Sequence, residues 1–419
     1  MLRYMTAGES HGPALVAILE GMPSNVPVTA ADINSELRRR MGGYGRGGRM
    51  KIEQDEVQIR GGIRHGKTLG RPIALVILGG IRHGKTLGSP IALVIRNRDW
   101  ENWKTVMAPE AEAAQGEPDR PPMTRPRPGH ADLIGGLKYD HQDLRNVLER
   151  ASARETAARV AVGAACKCLL RQFGIQVVSH VVEMGGIRAK TEGLAAPEIV
   201  AQAEASPVRC ADPDATQAIL AKVDEARARG TSLGGVFEVL VVDPPVGLGS
   251  YVHWDHRLDG RLAQALMSIQ AIKGVEIGLG FETARRFGYE VQDEIFYRVP
   301  AERVPDRGAA EGEGFHRRTN FGGGLEGGMT TGQPLVLRAA MKPLSTQYKP
   351  LASVDILTKE ASRAGVERSD ITAVPAAGVV GEAVVAFVIA QALCEKFGAD
   401  SLAELQRNHS GYVAYLKSR

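Results

Sequence analysis

Two spacings of apolar residues alternate along this chain, one matching a helix face and the other a strand. Runs rich in Val, Ile and Leu at 2–6, 73–77, 175–182, 235–242, 274–281 and 334–340 read as strands. Helical stretches lie between them. Residues 28–41 set Ile33 and Leu37 on one face, with Thr29 as N-cap and Gly42-Gly43 as the stop. Residues 143–173 read as one long helix, with Leu144, Leu148, Ala151, Ala158 and Ala165 inward and Gly174 ending it. So many alanines imply close helix packing. Residues 195–229 are polar and helical, 255–273 turn Leu258, Leu262, Leu266 and Ile269 inward, and 378–397 form a last apolar helix. Residues 100–107 are amphipathic, and the Ala/Glu/Pro-rich 108–122 read as a mobile solvent loop. Strands alternating with helices, with no clear linker, predict an α/β or α+β layered fold.

Composition narrows the class. A chain of 419 residues with 43% hydrophobic and 24% charged residues can bury a full core and is ordinary for a soluble protein. A net charge of +4 is too small for a general nucleic-acid binder of this size, so local clusters matter more than the total. Cys166, Cys168, Cys210 and Cys394 form no metal-ligand pattern, predict no metal, and fit a reducing compartment. The N-terminal MLRYMTAGESHG lacks a charged-then-apolar signal, and no uninterrupted apolar run reads as long enough to span a bilayer. The expectation is a cytoplasmic protein with no membrane partner.

One segment is written twice. GGIRHGKTLGxPIALVI begins at Gly61 and again at Gly79, a direct repeat of 18 residues. Both copies match the phosphate-loop pattern GxxxxGK[ST], which would make Lys67 or Lys85 part of an NTP-binding enzyme. That loop needs a helix directly after its Lys-Thr, whereas Leu-Gly-Arg-Pro and a β-branched run follow Thr68. Gly70 and Pro72 forbid the helix. A sheet that takes one such turn-and-strand unit has two candidates here, so one copy should be extruded or added at an edge.

The stretch 125–156, RPRPGHADLIGGLKYDHQDLRNVLERASARET, carries the densest chemistry. Pro126 and Pro128 stiffen a loop that presents Arg125, Arg127 and His130, and the following helix brings Ser152, Arg154 and Thr156. Near the N-terminus two glycines bracket Ser10-His11, a turn suited to close approach by a ligand. Adjacent Ser and His diverge, so they are not a nucleophile and its base. Arg38, Arg39 and Arg40 suit a helix C-terminus, while Arg46, Arg49 and Lys51 on glycine-rich backbone read as an anion pocket. The same Arg-Gly-Tyr composition is used by RNA-binding modules, a rival reading.

GESHG, RRRMGGYGRGGRMKIE, RPRPGHADL, RASARET, GGLEGGMTTGQP, MKPLST and ERSDITAVPAAGVVGEA stand in the order found in chorismate synthases, and across nearly the whole chain the sequence resembles that family. The resemblance implies an α+β fold over residues 1–419 as a single domain, a β-α-β sandwich with central helices between antiparallel sheets, assembled as a homotetramer. It implies reduced FMN as cofactor, NADPH as a source of reducing power, and 5-enolpyruvylshikimate 3-phosphate as substrate, which loses phosphate by 1,4-anti elimination. By the same analogy His11 is the acid near the departing phosphate, His130 keeps the flavin in its protonation state, and Asp370 relays a proton with Ser10 and Ser152 nearby. Ala151, Ser152 and Ala153, then Gln270, Ala271 and Gly327, match flavin-cradling positions, as do Lys342, Pro343, Leu344, Ser345, Thr346 and Arg368. Arg40, Arg46, Arg49 and Arg127 match positions for substrate or pyridine nucleotide. The family usually carries Asn where Gln270 and Thr331 stand, an extra glycine lengthens 322–324, and the repeat is foreign to it.

Overall fold

The computed structural model describes residues 1–47, 55–59, 81–82, 84–108, 121–298, 314–367 and 369–419. Arg49, Lys51, Arg368, the first copy of the repeat and residues 109–120 lie outside them.

The chain opens as an antiparallel pair, β1 (Arg3–Gly8) and β2 (Ala14–Glu20), closed by the Ser10-His11 turn. Helix α1 (Ala30–Met41) follows, with Thr29 capping it as predicted: its hydroxyl accepts from Asp32 N, and Asp32 returns the bond. Then come β3 (Val57–Ile59), the hairpin β4 (Ile81–Arg82) and β5 (Lys85–Thr86), and β6 (Ile91–Arg96). The first sheet is ordered β1-β2-β6-β3. β6 belongs to the second copy of the repeat, so that copy supplies the inner strand, with Leu93 opposite Ala17. Its Lys85-Thr86 opens no helix: the Thr86 hydroxyl, 1% exposed, donates to Pro23 O and accepts from Val26 N at 2.7 Å. The phosphate-loop match in this copy is therefore a turn and strand.

After α2 (Asp132–Tyr139) the predicted long helix divides. α3 (Arg145–Ala151) and α4 (Thr156–Arg171) are separated by a 3-10 turn at Ala153–Glu155. Ser152 is the reason, with extended backbone (φ −60°, ψ 138°) and a hydroxyl that accepts from Arg154 N. β7 (Gln176–Met184) and β8 (Ile187–Arg188) come next, and the predicted helical span 195–229 is two helices, α5 (Ala196–Ala205) and α6 (Pro213–Arg229), broken where Asp212 caps the second. β9 (Gly235–Val242), α7 (Leu258–Met267) and β10 (Ile272–Ile277) follow. The chain continues through β11 (Ile295–Arg298), β12 (Gly314–Arg317), β13 (Leu325–Glu326), β14 (Met329–Thr330) and β15 (Leu335–Met341). The second sheet is antiparallel in the order β10-β15-β9-β7-β8. A small hairpin, β16 (Ala352–Val354) and β17 (Ala361–Arg363), precedes α8 (Val374–Phe397) and α9 (Leu402–Lys417).

Two central helices join the sheets. α4 packs on β2 and β6, α8 packs on β7 and β9, and the two helices pack on each other, which gives the sandwich of helices between antiparallel sheets. Glycine makes the approach possible: a Cβ at Gly163 of α4 would lie 2.4 Å from Ala383 of α8, and one at Gly381 would lie 2.6 Å from Phe237 of β9. By length and composition α8 is apolar enough to cross a bilayer, although Glu382 interrupts its apolar run. Its most apolar window is 89% buried between the two sheets, which marks it as a core helix. At its centre the fully buried Glu382 meets Arg39 of α1, Lys167 of α4, Arg209 and Ser179.

Candidate active site

The loops at one end of the sandwich enclose a cavity of about 600 Å³, within the range of small-molecule sites. His11 comes to it from the β1–β2 turn, Arg40 from the last turn of α1, and Arg46 from the glycine-rich loop after it. The break between α3 and α4 turns Ala151, Ser152 and Ala153 toward the cavity, which an unbroken helix would not do. Gln270 and Ala271 enter from the end of α7, Lys342, Leu344, Ser345 and Thr346 from the end of β15, and Asp370 from the loop before α8. His11 and His130, 119 residues apart by number (130 − 11), thus share one cavity.

Each imidazole rests on a buried carboxylate. His11 Nδ1 lies 2.8 and 3.0 Å from the two oxygens of Glu149, which also accept the His11 backbone N–H at 2.7 Å. The His11 ring stacks on Trp103 at 3.7 Å between centroids. His130 Nδ1 lies 2.6 Å from Asp132 Oδ1. Arg127 donates to the same carboxylate from Nε and Nη2 at 2.8 and 3.0 Å. Burial alone would push the Asp132 carboxyl up, but the bonds from His130 and Arg127 outweigh it and hold it well below the usual range. With Asp132 ionised, the proton between it and His130 resides on Nδ1, so the 3.1 Å approach of Arg127 Nη2 to that nitrogen is a contact of two donors around one acceptor.

The cations are held in place by the fold. Arg40, 6% exposed, donates to Thr156 Oγ1 at 3.0 Å, Asp55 at 3.1 Å and Ala153 O at 3.1 Å. Arg127 also donates to Thr346 Oγ1 at 2.9 Å. Lys342 Nζ donates to Gly129 O and Ser345 Oγ, both at 2.9 Å, and burial together with Lys273 pushes its ammonium down from the ordinary value. The Ser10 and Ser152 hydroxyls meet at 3.2 Å. Ala271 has φ +68°, the left-handed region where side chains with a Cβ are strained, and its carbonyl accepts Lys342 N–H at 3.0 Å.

Two expected positions lie elsewhere. Gly327 forms the turn of the β13–β14 hairpin beside Tyr251 and does not line the cavity of this chain. Pro343, whose backbone nitrogen lies beside Gly234, does not line the cavity. Arg49 and Arg368 fall outside the described residues. Sequence reasoning missed Glu149, Asp132 and Trp103. An Arg145–Glu149 pair at i,i+4, one place beyond the buried Leu144 and Leu148, was the readable sign of the first.

Comparison with known proteins gives a consistent result. The family model described as chorismate synthase matches residues 2–78 and 74–394, and the overlap falls at the repeat. The chorismate synthase of Pelobacter propionicus is 56% identical over 418 residues, with all of both chains covered. That of Aquifex aeolicus is 54% identical over 427 residues, covering all of this chain and 98% of its own. A crystal structure of a chorismate synthase superposes with a TM-score of 0.74 at 44% identity, covering 100% of this chain and 99% of the other.

Proposed function

The chain belongs to the chorismate synthase family, a family of lyases acting on a small-molecule substrate with the help of a flavin, and we propose that its cavity eliminates phosphate from 5-enolpyruvylshikimate 3-phosphate with reduced FMN bound alongside. The observation that carries this reading is the convergence of His11, His130, Asp370 and four fixed cations, Arg40, Arg46, Arg127 and Lys342, on one cavity. A substrate with two carboxylates and a phosphate needs that many positive charges. Arg46, read from the sequence as part of an anion pocket with an RNA-binding loop as the rival, lines this cavity together with Arg40.

The residues present fit a flavin. Ile269, Met341 and Leu344 supply an apolar wall, and the buried Gln270 Oε1 has no hydrogen-bond partner among the described residues, leaving an acceptor for a ring N–H. Ala151 to Ala153, Gln270, Ala271, Lys342 and Leu344 to Thr346 would hold the cofactor. When bound there, reduced FMN would supply transient electron donation with no net redox change, which an unactivated C6 hydrogen requires. His11 gives a proton to the departing phosphate oxygen. Asp370 carries the C6 proton away, with Ser10 and Ser152, bonded to each other, also lining the cavity. Through Asp132 and Arg127, His130 keeps a fixed tautomer toward the flavin. NADPH would serve as reductant at the Arg40 and Arg46 end.

Residues 1–419 are read as one domain, supported by a hydrophobic core continuous through both sheets and α4 and α8. A homotetramer is supported by large exposed apolar side chains: Tyr251, Val252, Trp254, Phe281, Phe287 and Tyr289 are each 68–81% exposed. A cytoplasmic setting is supported by four buried cysteines, all unpaired. The deciding experiment is anaerobic phosphate release from the shikimate ester with reduced FMN and no ATP. Absence of release with folded protein and bound flavin would remove the reading.

A further inference from the structure

Resting on the role of His11 just given, we propose that Glu149 is the positioning residue of the reaction: it fixes the His11 ring as the Nδ1–H form, so that Nε2 alone is presented to the leaving phosphate. Glu149 is 2% exposed, and a buried carboxylate must find donors. It finds two on one residue, the His11 backbone N–H at 2.7 Å and the Nδ1 edge, 2.8 and 3.0 Å from its two oxygens, while its own carbonyl accepts Ser10 N–H at 3.0 Å. An ionised carboxylate accepts only, so the proton between the two groups belongs to Nδ1. A neutral imidazole in water favours the other tautomer, with hydrogen on Nε2. The protein therefore reverses the free preference.

The ring cannot turn away from this bond. Trp103, 2% exposed, stacks on it at 27° between planes and is itself anchored by Nε1 donating to Asp99 at 2.9 Å. The Arg145 guanidinium lies over Trp103 at 5.3 Å and reaches Glu149 at 3.8 Å, so α3 grips both the carboxylate and the stacking partner. Glu9, in the same turn, has its carboxyl pushed up by burial and by the neighbouring Glu149. When the ring carries its second proton, that proton sits on Nε2 facing the cavity. As the C–O bond to phosphate breaks and its electron pair leaves with the phosphate, that proton passes to a phosphate oxygen. His11 is left neutral with Nδ1–H still on Glu149.

The tautomer is read directly from 15N solid-state spectra of histidine-labelled protein, His11 being assigned by difference against His11→Gln. In unmodified protein the neutral His11 should show a protonated Nδ1 and a bare Nε2. In Glu149→Gln, which has one acceptor oxygen for two donors, the signals should move toward the free mixture. Turnover should fall roughly 10²-fold with little change in KM. Glu149→Asp keeps the charge but draws the oxygens back, and should lose turnover as well. A bare Nδ1 in the unmodified protein overturns the proposal, even if no Glu149 variant folds. So does full turnover in folded Glu149→Gln. Because the spectra need neither flavin nor substrate, absent phosphate release would count against the lyase reading while the tautomer that Glu149 imposes on His11 is still decided by the spectra.

Discussion

Arg46 and Asp370 hold each other in the lining of the cavity: Arg46 Nη1 lies 2.7 Å from Asp370 Oδ2, while Oδ1 accepts Gly47 N–H at 2.6 Å. A proposed anion-binding cation is thus partly neutralised by a proposed proton carrier before any ligand arrives. Asp370→Asn keeps the bond to Gly47 and releases the arginine charge. Turnover should fall roughly 10²-fold while the shikimate ester binds more tightly. Equilibrium binding and steady-state rates measured together check this, and weaker binding would show that Arg46 does not meet the substrate.

Glu382 supplies a stability test with a definite pH sign. Burial alone would raise its carboxyl, but Lys167, Arg39 and Arg209 outweigh that and hold it well below the unfolded value near 4.5. Its contribution is therefore complete above that pH and is lost as pH falls toward the folded-state value. Glu382→Gln should lose roughly 3–5 kcal/mol at pH 7, measured by urea unfolding. The gap to the unmodified protein should shrink below about pH 4. A gap that widens in acid contradicts the assignment.

Gly163→Ala tests the contact between the central helices. The added methyl would meet the Ala383 backbone and side chain at 2.4 Å, and neither helix can retreat from the sheet behind it. Stability should drop by roughly 3 kcal/mol, the upper end of overpacking costs. Flavin affinity should fall with it, since Thr156 of α4 and Val380 of α8 line the cavity. Unchanged melting would mean the helices are farther apart.

Removal of residues 61–78 should leave the molecule working, because the inner strand of the first sheet is β6 of the second copy. The expected change in Tm is no more than about 3 °C, with phosphate release unaltered. Loss of folding on deletion would assign a structural task to the first copy.

The sequence was most legible where a motif names backbone chemistry. Thr29 as a cap and β9 at Gly235–Val242 follow from local propensity, and the shared site of His11 and His130 from the ordered motifs. Least legible was the break at Ser152, since Ala151, Ala153 and Arg154 favour a helix and only the serine side chain's bond to Arg154 N diverts the chain. Glu149 and Asp132 were hidden for a related reason. Each looks like a solvent-facing helix residue until the turn carrying its histidine packs against it. Gly327 belongs to a hairpin beside exposed Tyr251, where nothing in one chain's sequence says which cavity it serves.

The route from β3 to β6 has a practical consequence. These two strands are paired neighbours, and β6 also keeps its full register with β2, from Ala14 opposite Arg96 to Leu19 opposite Ile91. Extra length between them costs only the slow logarithmic growth of loop closure, about 0.6 kcal/mol per doubling. That junction is therefore a natural graft point, where an affinity handle, a fluorescent reporter or a surface tether can be spliced in to immobilise the catalyst.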